Sequence, residues 1–255
     1  MFEFVPMTDR IKAIRAKRDV FTGGKYITIN TERTKIYTDY YKAHENEYPM
    51  LKRAGALYTW CATREIRVND DDIFVGTPGP DQRSLSPYVE WDCSWIPNVV
   101  DDDESFRAAW QSGKGIYMSD AQREILRDAY DYWKERTITK MVAGALTDDF
   151  YESDGTGGIL TLTYGPRKGT VSGMPQGHYT ANFNKVVNVG FGEVRRQVLE
   201  KIDAMRGKVF GEDAKKHIFY YAILRICDGA ILLSKRYAAD CRENMFQCHA
   251  KTPFL

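Results

Sequence analysis

The stretch Thr31–Gly76 constrains this chain most: TERTKIYTDYYKAHENEYPMLKRAGALYTWCATREIRVNDDDIFVG. Ile36, Tyr40 and Tyr41 recur at helical spacing. Leu51, Ala54, Leu57 and Tyr58 repeat that spacing after Pro49, whose fixed backbone angle suits a first helical position. The spacing predicts a helical hairpin. The β-type runs Arg64–Val68 and Ile73–Gly76 follow it, with Asp70–Asp72 between them, and predict a small β-element fed by the hairpin. The stretch holds no nucleophile–base pair and no ligand cluster, so its residues read as packing.

Composition narrows the class. The chain has 255 residues, 43% of them hydrophobic, enough for a real core in one large or two modest domains. A net charge of +1 provides no broad electrostatic footprint for nucleic acid or an anionic membrane. There is no uninterrupted apolar run of about eighteen residues, so no membrane-spanning helix is expected. The opening MFEFVPMTDRIK lacks the layout of a secretion signal. Cys61, Cys93, Cys227, Cys241 and Cys248 are odd in number and have no CxxC spacing, which points to a reducing cytoplasm rather than a disulfide framework or zinc site.

Along the chain, Thr8 is placed to cap a first helix with Ile11 and Ile14 on one face, ended by Gly23–Gly24, with Tyr26–Ile29 extended beyond it. After the loop Thr77–Arg83, the segment SLSPYVEWDCSW (Ser84–Trp95) gathers aromatic and polar residues that either line a pocket or form a buried corner between subdomains. Asp101–Glu104 suits the N-terminus of a helix over Ser105–Trp110. Ser119 with Gln122 is a capping-box signature, and Ile125, Leu126, Ala129 and Trp133 then share a face, predicting a helix from Asp120 to about Thr137 and a further piece through Leu146. Tyr151–Gly177 is punctuated by seven glycines and reads as a hairpin or loop, with Ile159–Tyr164 alternating like a strand. It contains no phosphate-cradling glycine motif. Val186, Val189, Phe191, Val194, Val198 and Ile202 give an apolar helical face, with Gly190 and Gly192 permitting close packing or a kink. Asp213–Asp240 predicts a long, substantially buried helix in which a buried Asp228 needs a partner.

These residues also carry a family resemblance. Thr31, Glu32, Arg33, Tyr41, Lys42, Pro49, Arg53, Ala54, Ala56, Leu57, Ile66, Val68, Asp72, Ile73, Val75 and Gly76 match a pattern in the N-terminal region of glycyl radical enzymes. Pro87–Glu90, Tyr132–Trp133, Gly177–His178 and Lys235–Ala238 continue it in order. The chain resembles the pyruvate formate-lyase superfamily, in its glycerol/diol dehydratase and decarboxylase branch. The resemblance implies that residues 1–255 are the mainly α N-terminal part of a ten-stranded α/β barrel fold, with short β elements, most of the barrel core missing and the glycyl radical domain absent.

In such enzymes a backbone glycyl radical, installed by a separate S-adenosylmethionine-dependent iron–sulfur activase, oxidises a mid-chain cysteine. The resulting thiyl radical attacks a small organic substrate. By resemblance the partners are the remainder of the barrel, the activase and a second copy in a homodimer, with no nucleic acid and no membrane, in the cytoplasm. No catalytic, cofactor or metal residue is assigned to this chain. Thr170–Met174 superficially resembles the glycyl loop and Cys241–Arg242–Glu243 the catalytic Cys-x-Glu, but both stand in the wrong order along the chain. His178 either contacts a substrate hydroxyl, as its family counterpart does, or is a helix-entry histidine bonded to backbone. The implied function is the N-terminal fragment of a glycyl radical lyase, inactive alone. The alternative is a non-catalytic remnant or binding module.

Overall fold

The structure, a computed structural model, describes residues 7–22, 26–68, 75–76, 79, 84–100, 115–145 and 182–251. Among the described residues the helices are α1 (Asp9–Thr22), α2 (Glu32–Ala43), α3 (Pro49–Thr63), α4 (Ile96–Val100), α5 (Asp120–Trp133), α6 (Ile138–Ala145), α7 (Phe183–Asn188), α8 (Gly190–Ala204) and α9 (Glu212–Lys251). The strands are β1 (Tyr26–Ile29), β2 (Ser84–Leu85) and β3 (Gly115–Tyr117). The chain is mainly helical with short β elements, as the sequence predicts. It divides into two compact units.

The unit of residues 21–38 and 83–181 is built around a three-stranded parallel sheet in the order β2-β1-β3, with Thr28 opposite Ser84 and Tyr117. This corrects the predicted β-element. Tyr26–Ile29 is a strand, but it precedes the hairpin, and Ser84–Leu85, to which the sequence assigns no strand, pairs with it. Arg64–Val68 is irregular chain, as are Val75 and Gly76; Ile73 and Phe74 of the second predicted run lie outside the described residues. Parallel neighbours need long crossovers, so their pairing is set by contacts far apart in sequence.

Helix α5 follows the sequence closely. Ser119 Oγ accepts from Gln122 N (3.3 Å), and Gln122 Oε1 accepts from Ser119 N (2.8 Å), completing the capping box. The Gln122 amide also donates to Ile29 O at the end of β1 (2.5 Å), so the cap ties helix to sheet. Leu126, Ala129 and Trp133 are buried, with Ile29, Val89, Ile96 and Val100 in the same core. The helix ends at Trp133, four residues before the predicted end, and α6 begins separately at Ile138.

The other unit comprises residues 1–20, 39–82 and 182–255. There α9 packs on α3 and α8. A Cβ on Gly229 would lie 3.2 Å from the Tyr58 backbone and 3.4 Å from Cys61 Cβ, so the α3–α9 approach is set by the missing side chain. Ala54, Gly55, Ala56 and Cys61 on α3 and Ala222 and Cys227 on α9 are small buried residues of this unit. Arg236 of α9 closes the end of α3 by donating to Cys61 O (2.8 Å) and Arg64 O (2.6 Å). Two carbonyls at a helix terminus thereby gain partners.

Several expectations are corrected. The buried face of α2 is Arg33, Thr34, Tyr37 and Thr38, not Ile36, Tyr40 and Tyr41. The apolar run over Val186–Ile202 is two helices, broken where Gly190 takes φ +78°, and only Val198 is buried. Helix α9 is longer and less buried than predicted. Its Glu212–Glu243 part is long and apolar enough to cross a membrane by length and composition, although no uninterrupted apolar run is present. Arg225 and Asp228 interrupt that stretch, and both are ion-paired within the unit.

Candidate functional site

Among the described residues, each unit holds a charged cluster that reaches into its interior. In the sheet-bearing unit, Arg33 of α2 meets Glu90, fifty-seven residues later, in a two-point ion pair: Nη1 donates to Oε2 (3.0 Å) and Nη2 to Oε1 (2.5 Å). Both side chains are at least nine-tenths buried. The guanidinium lies between the rings of Tyr37 (3.7 Å) and Tyr88 (3.9 Å). Burial acts to lower the Arg33 pKa, but the hydrogen bonds and charge of Glu90 outweigh it and hold the pKa above its ordinary value.

Around this pair the segment 86–95 is fixed from several sides. Thr34 Oγ1 donates to Pro87 O (3.5 Å). The first amides of α6, Ile138 N and Thr139 N, donate to Glu90 O (3.0 Å) and Trp91 O (3.1 Å), so loop carbonyls satisfy a helix N-terminus. Asp92 accepts from Ser94 N and Ser94 Oγ. Within Ser84–Trp95, Pro87, Val89, Glu90 and Cys93 are buried while Leu85, Tyr88 and Ser94 are exposed, so burial holds for the middle of the segment. Glu90 is committed to Arg33 and is not a free base. Burial, reinforced by Asp92, pushes the Cys93 thiol up to about 12. Burial also raises Cys61 and Cys227. None of these thiols is the exposed, low-pKa kind that reacts as a thiolate.

In the helical unit, Tyr40, Gly55, Tyr58, Thr59, Arg225, Asp228, Ile231, Leu232 and Lys235 line an open cleft of about 550 Å³. Gly55 makes room for Tyr40, because a Cβ there would fall 1.9 Å from the Tyr40 hydroxyl. That hydroxyl donates to Glu47 Oε2 (3.0 Å), and Arg225 donates to Glu47 Oε1 (2.5 Å) and Leu51 O (3.0 Å). Burial and then the Glu47 hydrogen bond raise the Tyr40 pKa. Burial works to raise Glu47, but hydrogen bonds from Arg225 and Tyr40 prevail and hold it below the usual carboxylate value. Asp228 is partly exposed rather than buried, and it accepts from Arg195 Nε at 2.6 Å. The cleft can hold a polar group, but no histidine or cysteine lines it to move a proton near neutrality.

Of the residues that the sequence singles out, His178 lies outside the described residues, as do Thr170–Met174, Asp70–Asp72, Asp101–Glu104 and the glycine-punctuated stretch. Cys241, Arg242 and Glu243 sit on α9, where residues two apart point to opposite sides, so the thiol and carboxylate do not converge. Among the described residues no three His, Cys, Asp or Glu side chains group as metal ligands. Sequence reasoning treats Arg33 and Glu90 as separate motif positions. Their partnership had one available signal, an arginine and a glutamate both inside matched motifs and both with tyrosine nearby.

Comparison with known proteins sets this geometry in a family. The pyruvate formate lyase-like family model matches residues 7–252. The probable dehydratase YbiW of Escherichia coli strain K12 is 25% identical over 237 residues, which are 93% of this chain and 27% of that protein. An isethionate sulfite-lyase of Desulfovibrio desulfuricans is 24% identical, over 86% of this chain and 26% of its own. The glycerol-bound B12-independent glycerol dehydratase of Clostridium butyricum superposes with a TM-score of 0.74 at 22% identity, covering 94% of this chain and 28% of that one. The chain thus spans about a quarter of the length of these relatives. With nearly its whole length matched to one family model and its fold shared with such enzymes, the chain belongs to the pyruvate formate lyase-like family of glycyl radical enzymes.

Proposed function

We propose that this chain is the N-terminal, mainly helical part of a cytoplasmic glycyl radical lyase acting on a small organic substrate, and that it scaffolds radical chemistry whose spin-carrying residues lie elsewhere. The supporting observation is the pairing of coverages: 94% of this chain superposes on 28% of a glycerol dehydratase. The glycyl radical, installed by a separate S-adenosylmethionine activase, supplies hydrogen-atom abstraction through a cysteine in the complementary part of the fold. This chain's own residues hold together the scaffold on which that part would rest. The Arg33–Glu90 pair locks the corner from which α6 starts, and Arg225, Arg236 and Gly229 fix the α3–α9 pair. Dehydration of a diol, C–N cleavage of an amino alcohol and decarboxylation of an arylacetate all fit this reading. In the assembled enzyme, a homodimer on this reading, His178 contacts a substrate hydroxyl.

The deciding experiment is electron paramagnetic resonance after anaerobic incubation of the chain with an activase, S-adenosylmethionine and reductant. The expected result is no glycine-centred doublet and no turnover; a doublet from this chain overturns the proposal. A second reading, a self-sufficient non-catalytic module of the same fold, is favoured by the closed α3–α9 seam. A compact monomer that melts cooperatively and binds no hydrophobic dye supports that module over a fragment.

A further inference from the structure

The segment Asn182–Phe191 reads NFNKVVNVGF, with Lys185 its single charged residue. Helix α7 occupies Phe183–Asn188 and buries none of its residues. Phe183 is 68% exposed and Val187 81%, and Val186, Val189 and Phe191 are exposed as well. Phe183, Val186 and Val187 stand at three- and four-residue spacing, so they share one helical face. An isolated helix shorter than about twelve residues is marginal in water. One turn and a half of helix without a buried residue gains nothing from tertiary packing. Its support is local: Asn182 Oδ1 accepts from Lys185 N (3.0 Å), and Asn188 Nδ2 donates to Asn184 O (2.9 Å). A contiguous apolar strip of this kind marks a contact surface.

From this we infer that the strip Phe183–Phe191 is the surface on which the complementary part of the glycyl radical fold docks. The inference rests on the proposed function and adds the surface. The occupant is argued from length. The relatives extend this chain's matched region almost fourfold, since the match covers 27% of one and 28% of another, and the superposition carries the chain inside a larger fold. The covering surface is therefore an apolar face of the missing three-quarters. Charge plays little part, because the strip offers only Lys185.

The probe is the Clostridium butyricum glycerol dehydratase chain lacking the region this chain matches, co-expressed with the full 255-residue chain. In the isolated chain, residues 183–191 are expected to exchange their amide hydrogens rapidly; slow exchange there means the chain already covers its own strip and overturns the inference. In the co-expressed pair, the expected result is a one-to-one complex in which those amides become protected. Val187→Ser, at a position too exposed to affect folding, is expected to weaken the complex about tenfold or more. A complex that leaves the strip unprotected overturns this surface while the proposed function stands. No complex, but a self-associated chain that Val187→Ser returns to monomer, identifies a second copy as the occupant and overturns the docking partner. A chain that stays monomeric and binds no probe fails both the surface and the reading beneath it.

Discussion

The two units solve the problem of holding long-range contacts by opposite means. The sheet-bearing unit uses buried polar groups: Arg33 with Glu90, Thr38 accepting from Trp133 Nε1 (3.0 Å) while donating to Thr34 O, and Gln122 reaching Ile29 O. The helical unit relies mainly on closeness, with Gly229 against the Tyr58 backbone and Gly55 beneath Tyr40; it buries Arg64 over the Trp60 ring, while its ion pairs Arg195–Asp228 and Arg225–Glu47 stay partly exposed. A buried ion pair specifies one arrangement because each partner left alone is costly. A glycine seam specifies one arrangement because any added atom collides. Polar locks therefore fail by loss of a partner and glycine seams by gain of an atom.

The largest expected effect breaks the polar lock. Glu90→Ala leaves the Arg33 guanidinium buried without its carboxylate, and removal of one partner of such a pair costs about 3–5 kcal/mol. Urea unfolding followed by tryptophan fluorescence measures it. The double change Arg33→Met, Glu90→Leu is expected to recover most of the loss, because two apolar groups need no pairing. If the double variant is as unstable as Glu90→Ala, the pair is not the lock described. Next in size is Gly229→Val. The Cβ meets backbone at 3.2 Å, and a branched side chain in a helix adds more crowding. Overpacking of this kind costs about 1–3 kcal/mol. Gly229→Ala is expected to cost less than Gly229→Val, since helix propensity returns about 1 kcal/mol against the tight backbone contact. Thermal melts of the pair of variants separate the two terms.

How much of this was readable in the sequence divides along the same line. The capping box at Ser119 and the proline at the start of α3 were legible because each is a local device within four residues. The hairpin helices were legible through their spacing. The sheet was not, because Ser84–Leu85 and Gly115–Tyr117 are too short to show alternation and pair only with distant Tyr26–Ile29. The buried side of α2 was misassigned because periodicity counts apolar residues, whereas this helix buries an arginine and two threonines that find partners only in the fold. The Gly229 seam was invisible for a related reason, since a glycine carries no pattern of its own. As for the site, the matched motifs named the family, yet their residues act as packing in both units, and His178 falls outside the described chain.

A smaller effect tests whether local devices matter beside these locks. Ser119→Ala removes one half of the capping box and is expected to cost about 1 kcal/mol, the ordinary value for a lost N-cap. Gln122→Ala is expected to cost more, because Gln122 also donates to Ile29 O and so couples the cap to β1. If the two variants melt alike, the tie between helix and sheet contributes nothing.

The smallest effect lies at the margin of the glycine seam and depends on pH. Glu47 is held below its ordinary value of 4.5 by Arg225 and Tyr40, against the pull of burial. A carboxylate with a depressed folded pKa binds its proton more readily in the unfolded chain. Its contribution to stability is therefore fully present above about 4.5 and fades as pH falls through the lower folded value. Wild type is expected to lose stability over that acid window more steeply than Glu47→Gln, which has no proton to gain. Arg225→Met is expected to flatten the profile in the same way, because Arg225 is the stronger of the two partners lowering Glu47. Equal slopes for wild type and Glu47→Gln between about pH 5 and pH 3, a window that brackets the ordinary carboxylate range, remove Glu47 from the forces joining α9 to the α2–α3 turn. The Gly229 seam and the arginine bonds to Leu51 O, Cys61 O and Arg64 O then hold that junction without it.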